Sequence, residues 1–93
     1  MKENINKRAA VVTGASKGIG AAIAIKLAQD GYPIVLNYLK SKEDAENVLK
    51  KINDVGANGF LCKCDVRDND QVKAMTEKAV EKFNGVDVLI NNA

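Results

Sequence analysis

The sequence contains no histidine and no tryptophan. The first absence removes every His-dependent catalytic triad and every His-containing zinc site. Cysteine occurs twice, as Cys62 and Cys64. That spacing is too short for an ordinary disulfide, and two thiols without histidine do not close a tetrahedral zinc shell. They read as small apolar residues of a buried strand. No apolar run approaches the roughly 18 residues of a membrane span. The polar start, Met1 to Arg8, lacks the apolar core of a signal peptide. Charge of one sign is also missing: 14 Lys and Arg face 12 Asp and Glu, a net +2 too weak to argue nucleic-acid binding. These absences leave a soluble protein of a reducing cytoplasm as the expectation.

What is present is ordinary globular composition, 46% hydrophobic and 28% charged over 93 residues, enough for one domain at most. Short β-type runs alternate with longer helical ones. Ala9-Ala10-Val11-Val12-Thr13 reads as a first strand ending in a glycine-rich turn. From Ile19 to about Asp30, Ile19, Ala22, Ile23 and Leu27 fall at helical spacing, and Gly31 is placed to stop that helix. Ile34 to Tyr38 is a second strand, with Pro33 tolerated at its start. Ser41 and Asp44 resemble a capping box, followed by an apolar stripe of Ala45, Val48, Leu49, Ile52 and Val55 that ends at Gly56. Gly59 to Cys64 is a third strand. Asp68 and Gln71 open a third helix, with Val72, Met75, Ala79 and Phe83 on one face and Gly85 at its end. Val86 to Ile90 is a fourth strand.

This alternation predicts an α/β fold: a Rossmann-like parallel sheet of order 3-2-1-4, with two helices on one face and the third on the other. It would be an incomplete doubly wound fold whose fourth strand lies at an exposed edge.

Between the first strand and first helix lies Thr13-Gly14-Ala15-Ser16-Lys17-Gly18-Ile19-Gly20. Its glycines are spaced G-x-x-x-G-x-G, which is neither the G-x-G-x-x-G fingerprint nor a P-loop. The physics is shared with both. Gly14 permits a tight turn, Gly18 lets the backbone approach a pyrophosphate, and Gly20 lets the helix sit close to the strand. The free N–H groups and the positive end of the helix dipole then face phosphates.

The turn resembles the cofactor motif of the short-chain dehydrogenase/reductase family. Cys64-Asp65-Val66-Arg67-Asp68 is similar to that family's Asp-Val-x-Asp segment after the third strand. Val86 to Ala93 is similar to its fourth strand and the start of an Asn-Asn-Ala-Gly motif. The likeness runs from about Lys7 to Ala93 and is greatest to the bacterial 3-oxoacyl-(acyl-carrier-protein) reductase branch. It implies that the backbone of Gly14, Ala15, Ser16, Lys17, Gly18, Ile19 and Gly20 holds the pyrophosphate. It implies that Asp65 accepts from the adenine amino group beside Val66, with Tyr38 also on the cofactor. Asn91, Asn92 and Ala93 would lie beneath the ribose and nicotinamide. Read without the resemblance, Asp65 is an Asx-turn residue and the asparagines a staple between strand ends.

In such folds an acidic residue at the end of the second strand holds the ribose 2′-OH of NAD, and a basic environment accepts the 2′-phosphate of NADP. Here the strand runs into Asn37-Tyr38-Leu39-Lys40-Ser41, with no carboxylate before Glu43. Lys17 lies in the turn where NADP-dependent relatives carry a basic residue, and Lys40 and Ser41 add a charge and a hydroxyl. NADP is the expected cofactor.

The resemblance also implies a catalytic Ser, a Tyr and a Lys four residues after it, all beyond the Asn-Asn-Ala-Gly motif. Tyr32 and Tyr38 are the only tyrosines; Lys42 stands four residues after Tyr38, but both tyrosines precede Asn91-Asn92-Ala93 and so lie outside the stretch where the catalytic residues belong. No catalytic residue is therefore assigned, and no metal site. The expectation is that residues 1–93 are the N-terminal part of a single dinucleotide-binding domain, truncated before its catalytic half. By the resemblance, the intact protein would be an NADP-dependent oxidoreductase and a homo-oligomer, reducing a ketone such as a 3-oxoacyl thioester on acyl carrier protein. The alternatives are a non-catalytic dinucleotide-binding module and a nonfunctional remnant.

Overall fold

A computed structural model describes residues 7–92. The elements are β1 (Ala9–Val12), α1 (Gly18–Gln29), β2 (Ile34–Tyr38), α2 (Lys42–Asp54), β3 (Gly59–Lys63), α3 (Asn69–Phe83) and β4 (Val86–Ile90). All pairings are parallel and the strand order is β3-β2-β1-β4, as the alternation predicts.

The two central strands, β1 and β2, are buried on both faces, which is why their sequences are nearly continuous apolar runs. Strand alternation divides their side chains between two cores. Ala10, Val12, Ile34 and Leu36 pack with Ala24 and Ala28 of α1 and Val48 and Ile52 of α2. Ala9, Val11 and Val35 pack with Cys64 and with Met75 and Ala79 of α3. Two helices therefore cover one face and one covers the other.

The inward face of α1 differs from the expected one. Gly20, Ala24 and Ala28 are its buried residues, four apart on one stripe. Ile19 is 72% exposed, Ala22 is exposed and Ile23 half-buried; of the expected stripe, Leu27 alone packs against the core. Periodicity of large apolar residues misleads here because the helix lies so close to the sheet that only small residues fit beneath it. A Cβ on Gly20 would overlap the Gly14 carbonyl oxygen and stand 2.6 Å from Asn92 Nδ2.

The helix ends follow the sequence unevenly. Asp68 caps α3 as expected, accepting from Asp70 N at 2.9 Å and Gln71 N at 3.3 Å. Gln71 answers through its amide, donating to Asp68 Oδ2 at 3.1 Å. The Ser41–Asp44 box is not formed: Ser41 makes no side-chain cap bond, and Asp44 pairs instead with Lys17. Val55, expected on the apolar stripe of α2, is exposed. The first and third strands each end one residue earlier than read, at Val12 and Lys63. Gly31 closes α1 with φ +99°, in the left-handed region that glycine enters freely. At the end of α3, Asn84 takes the left-handed cap position with φ +67°.

Candidate functional site

The carboxyl ends of the four strands converge on one edge of the sheet, where loops of an open α/β fold form ligand crevices. The centre of this edge is the turn from β1 to α1. Gly14 and Gly18 have φ of +59° and +63°, so both positions favour glycine on conformational grounds. A Cβ on Gly18 would meet nothing within 4 Å, so that position faces open space. Helix α1 starts there with no side-chain cap and no acidic residue in its first turn. Ala21 N reaches Lys17 O at 3.4 Å; among the described residues, the N–H groups of Gly18, Ile19 and Gly20 find no acceptor in the protein. Unpaired donors at a helix N-terminus suit an anion, and the open space in front of them admits one.

The turn is held in place by neutral hydrogen bonds. Thr13 N donates to Ile90 O at 3.0 Å. The Thr13 hydroxyl oxygen accepts from Asn92 N at 2.8 Å, and its O–H lies 3.3 Å from Ile90 O and 3.4 Å from Asn91 Oδ1. Asn92 Nδ2 donates to Gly14 O at 3.2 Å. Asn91 and Asn92 thus fasten the end of β4 to the turn after β1, which is the stapling reading of these residues. Ala93 lies outside the described residues.

Sequence reasoning noted Asn37 only as a non-acidic residue near the end of β2. It is 2% exposed. Its Oδ1 accepts from Gly14 N at 3.1 Å, and its Nδ2 donates to Cys62 O at 3.3 Å and Cys64 O at 3.0 Å. Its main-chain oxygen accepts from Ala15 N at 2.9 Å. A polar residue inside the otherwise apolar run Ile34 to Tyr38 was the available signal, since a buried amide must find partners.

Beside Asn37 a cavity of about 310 Å³ opens between the turn and the end of β3, lined by Gly14, Asn37, Leu39, Cys64, Asp65, Val66 and Arg67. Its lining is mainly apolar, with Asp65 and Arg67 among the residues that form it, which suits a flat heteroaromatic ring with exocyclic donors. Asp65 and Val66 stand together in this lining. Tyr38 does not line it: its side chain is buried, and Leu39 takes the position at the wall.

The Asp65 carboxylate is also the Asx-turn residue of the plainer reading. Oδ1 accepts from Arg67 N and Arg67 Nε, both at 3.0 Å, and Oδ2 accepts from Arg67 Nη2 at 2.9 Å. These bonds from Arg67, side chain first and then backbone, hold the carboxyl at about 2 against an ordinary 3.8. The group is a carboxylate throughout the neutral range. Burial pushes the Cys62 and Cys64 thiols upward, so both are neutral near pH 7 and poor nucleophiles.

Lys17 leaves the turn toward the start of α2, where its Nζ lies 3.6 Å from Asp44 Oδ2. Both side chains are largely exposed, so the pair contributes about 0–1 kcal/mol to the fold. Its consequence is positional: an ammonium stands at the junction of β2 and α2. Ser16 is half-buried, Lys40 exposed, and Ile19 projects from the first turn of α1. The structure brings Gly14, Lys17, Gly18, Gly20, Asp65, Val66, Asn91 and Asn92 to one end of the sheet. No group of three or more Cys, Asp or Glu among the described residues is arranged to hold a metal ion, and none of their helices is long and apolar enough to cross a membrane.

Residues 8–93 match the family described as short chain dehydrogenase. The chain is 48% identical over 86 residues to the 3-oxoacyl-(acyl-carrier-protein) reductase of Staphylococcus aureus, covering 92% of this chain and 35% of that protein. It is 42% identical over 89 residues to a versicolorin reductase of Emericella nidulans, covering 96% and 34%. The chain thus spans about a third of the length of the curated relatives it matches. Among solved structures, a short chain dehydrogenase from Burkholderia cenocepacia in complex with NADP superposes with a TM-score of 0.88 at 40% identity, over 98% of this chain and 37% of that one. A sheet of order β3-β2-β1-β4, a glycine turn opening α1 and these likenesses agree: the chain belongs to the short-chain dehydrogenase family.

Proposed function

We propose that this chain is the NADP(H)-binding part of a short-chain reductase that reduces a ketone, with a 3-oxoacyl thioester carried on acyl carrier protein as the substrate. The single observation that carries the cofactor choice is Lys17, whose ammonium stands at the β2–α2 junction, where β2 runs out through Asn37 to Ser41 without a carboxylate. A cation there attracts a ribose 2′-phosphate, and no acidic side chain competes for the 2′-OH before Glu43. The NADP named for the Burkholderia cenocepacia relative supports the same choice. The substrate class rests on the 48% identity to the Staphylococcus aureus reductase. As in the family it resembles, the whole protein would be a cytoplasmic homo-oligomer, with the catalytic Ser, Tyr and Lys supplied outside these 93 residues.

The roles of this chain's own residues follow from their positions. The N–H groups of Gly18, Ile19 and Gly20 would bind the pyrophosphate. Asp65, already ionised, would accept from the adenine amino group, with Val66 and Leu39 against the ring. Ile19, Asn91 and Asn92 would border the nicotinamide ribose and exclude water from it. NADPH, when bound, supplies the hydride.

The test is a titration of the chain with NADPH and with NADH, repeated on Lys17→Ala. NADPH is expected to bind roughly tenfold tighter than NADH, about one charge-assisted contact, and Lys17→Ala to remove most of that preference. Equal affinities for the two, or a preference for NADH, would overturn the cofactor choice.

A further inference from the structure

Asn37 is a buried amide in a strand whose neighbouring residues are all apolar, and each of its polar atoms is spent on the backbone of another segment. Its main-chain oxygen and its Oδ1 take the N–H groups of Ala15 and Gly14. Its Nδ2 gives both protons to Cys62 O and Cys64 O, at the end of β3. Only this orientation of the amide satisfies all partners; the reverse would set Oδ1 against two carbonyl oxygens and Nδ2 against an N–H. One side chain therefore spans the two structural parts of the proposed cofactor site, the glycine turn and the β3 end that carries Asp65 and Val66.

Among the described residues, the two parts are otherwise joined only through the main chain of β2, where Asn37 O takes Ala15 N and Tyr38 O takes Cys64 N. Gly14 O is anchored from β4 by Asn92 Nδ2. The Asp65 loop is anchored by its own bonds: Asp65 N donates to Gln71 Oε1 at 2.8 Å, and Asp68 N donates to Asp65 O at 2.9 Å. Cys64 N donates to Tyr38 O at 3.0 Å. Losing the Asn37 amide would leave each part locally organised and tied to β2 by main-chain bonds alone, which loosens the spacing between them.

Resting on the NADP(H) reading, we propose that Asn37 is a positioning residue that sets the distance between the pyrophosphate-binding turn and the adenine cavity, so that the site binds a dinucleotide as one ligand. It touches no reacting atom. Its substitution should penalise ligands that occupy both parts more than ligands confined to the adenosine end. A side chain that merely stabilised the sheet would penalise both alike.

The test uses the full chain with NADPH and adenosine as probes, comparing wild type with Asn37→Asp and Asn37→Thr. Circular dichroism checks that each is folded. Asp keeps the shape but turns an oxygen on the Cys62 and Cys64 carbonyls. Thr suits a strand and keeps a hydroxyl for one of the partners. The expected result is a rise of about tenfold in the NADPH dissociation constant with a change under about threefold for adenosine. For Asn37→Asp, lowering the pH should recover NADPH affinity relative to wild type at the same pH. The protonated carboxyl regains a donor for Cys64 O while its carbonyl still accepts from Gly14 N. Equal shifts for both probes, no shift for either, or unfolding of both variants would overturn the assignment. Wild type that binds neither probe would instead overturn the NADP(H) reading, and the inference with it.

Discussion

On the β1–β4 side of the site, Thr13, Gly14, Gly20 and Asn92 hold one another by neutral hydrogen bonds and by a backbone contact with no room for a methyl group. On the β2–β3 side the site is bordered by ion pairs at the surface, Lys17 with Asp44 and Asp65 with Arg67. The neutral side is directional and insensitive to salt, so it determines where the N–H groups of the turn point. The ionic side adds little to stability because water and salt already screen it. Its charges are thus available to a ligand: a phosphate can replace one counter-ion with another at small cost to the fold. Geometry comes from the neutral hydrogen bonds, those of Thr13 and Asn92 and the Asn37 bridge from β2, and charge recognition from the surface ion pairs.

That contrast is most exposed at Gly20. Gly20→Ala gains about 1 kcal/mol of helix propensity but drives a methyl into Gly14 O and Asn92, and overpacking of this kind costs about 1–3 kcal/mol or more. With a backbone oxygen unable to swing aside, the net expectation is a loss of roughly 2 kcal/mol in urea unfolding, together with loss of NADPH binding. A stabilised variant would mean that the turn is not held as tightly as the neutral side requires.

A smaller effect is expected from Asp44→Asn, which frees Lys17 of its counter-ion. NADPH binding should tighten by about threefold at low ionic strength, with unfolding changed by under about 0.5 kcal/mol, and the gain should vanish in molar salt. Weaker binding would show that Asp44 orients Lys17 productively, and would sharpen the contrast by giving the ionic side a geometric role.

The smallest effect concerns Asp65. Its carboxyl is held at about 2 by Arg67, so in Arg67→Gln its titration, followed by NMR, should move up toward 3.8. The folded-state value is depressed, so the stability it contributes is present above 3.8 and lost as pH falls through 2. Because Arg67 is largely exposed and the pair lies at the surface, Arg67→Gln should leave stability at neutral pH nearly unchanged. A large loss there would place the pair among the structural contacts of the neutral side.

Much of this arrangement is legible in the chain. The parallel order, the division of helices between faces and the role of Asp68 and Gln71 as a cap follow from signals within a few residues of each other. The stapling by Asn91 and Asn92 is also legible as a residue type at a strand end. The inward face of α1 is not, because hydropathy ranks Ile19 and Ile23 above Gly20 and Ala24, while the actual constraint is distance to the sheet. The capping box at Ser41 fails because Asp44 has a cation available from a turn far earlier in the chain. The depth of Asn37's role is hidden for the same reason: its partners Gly14 and Cys64 lie 23 and 27 residues away.

By itself the sequence determined which segments are strands and helices, how they are ordered, and where a glycine turn meets a helix N-terminus. These depend on periodicity and on backbone conformations that are local by nature. Only the tertiary structure decided which charges face each other and which small residues lie under α1. It alone decided that one buried amide joins the turn to the end of β3. Those are contacts between segments distant in the chain, and their energies exist only once the sheet has brought the segments together.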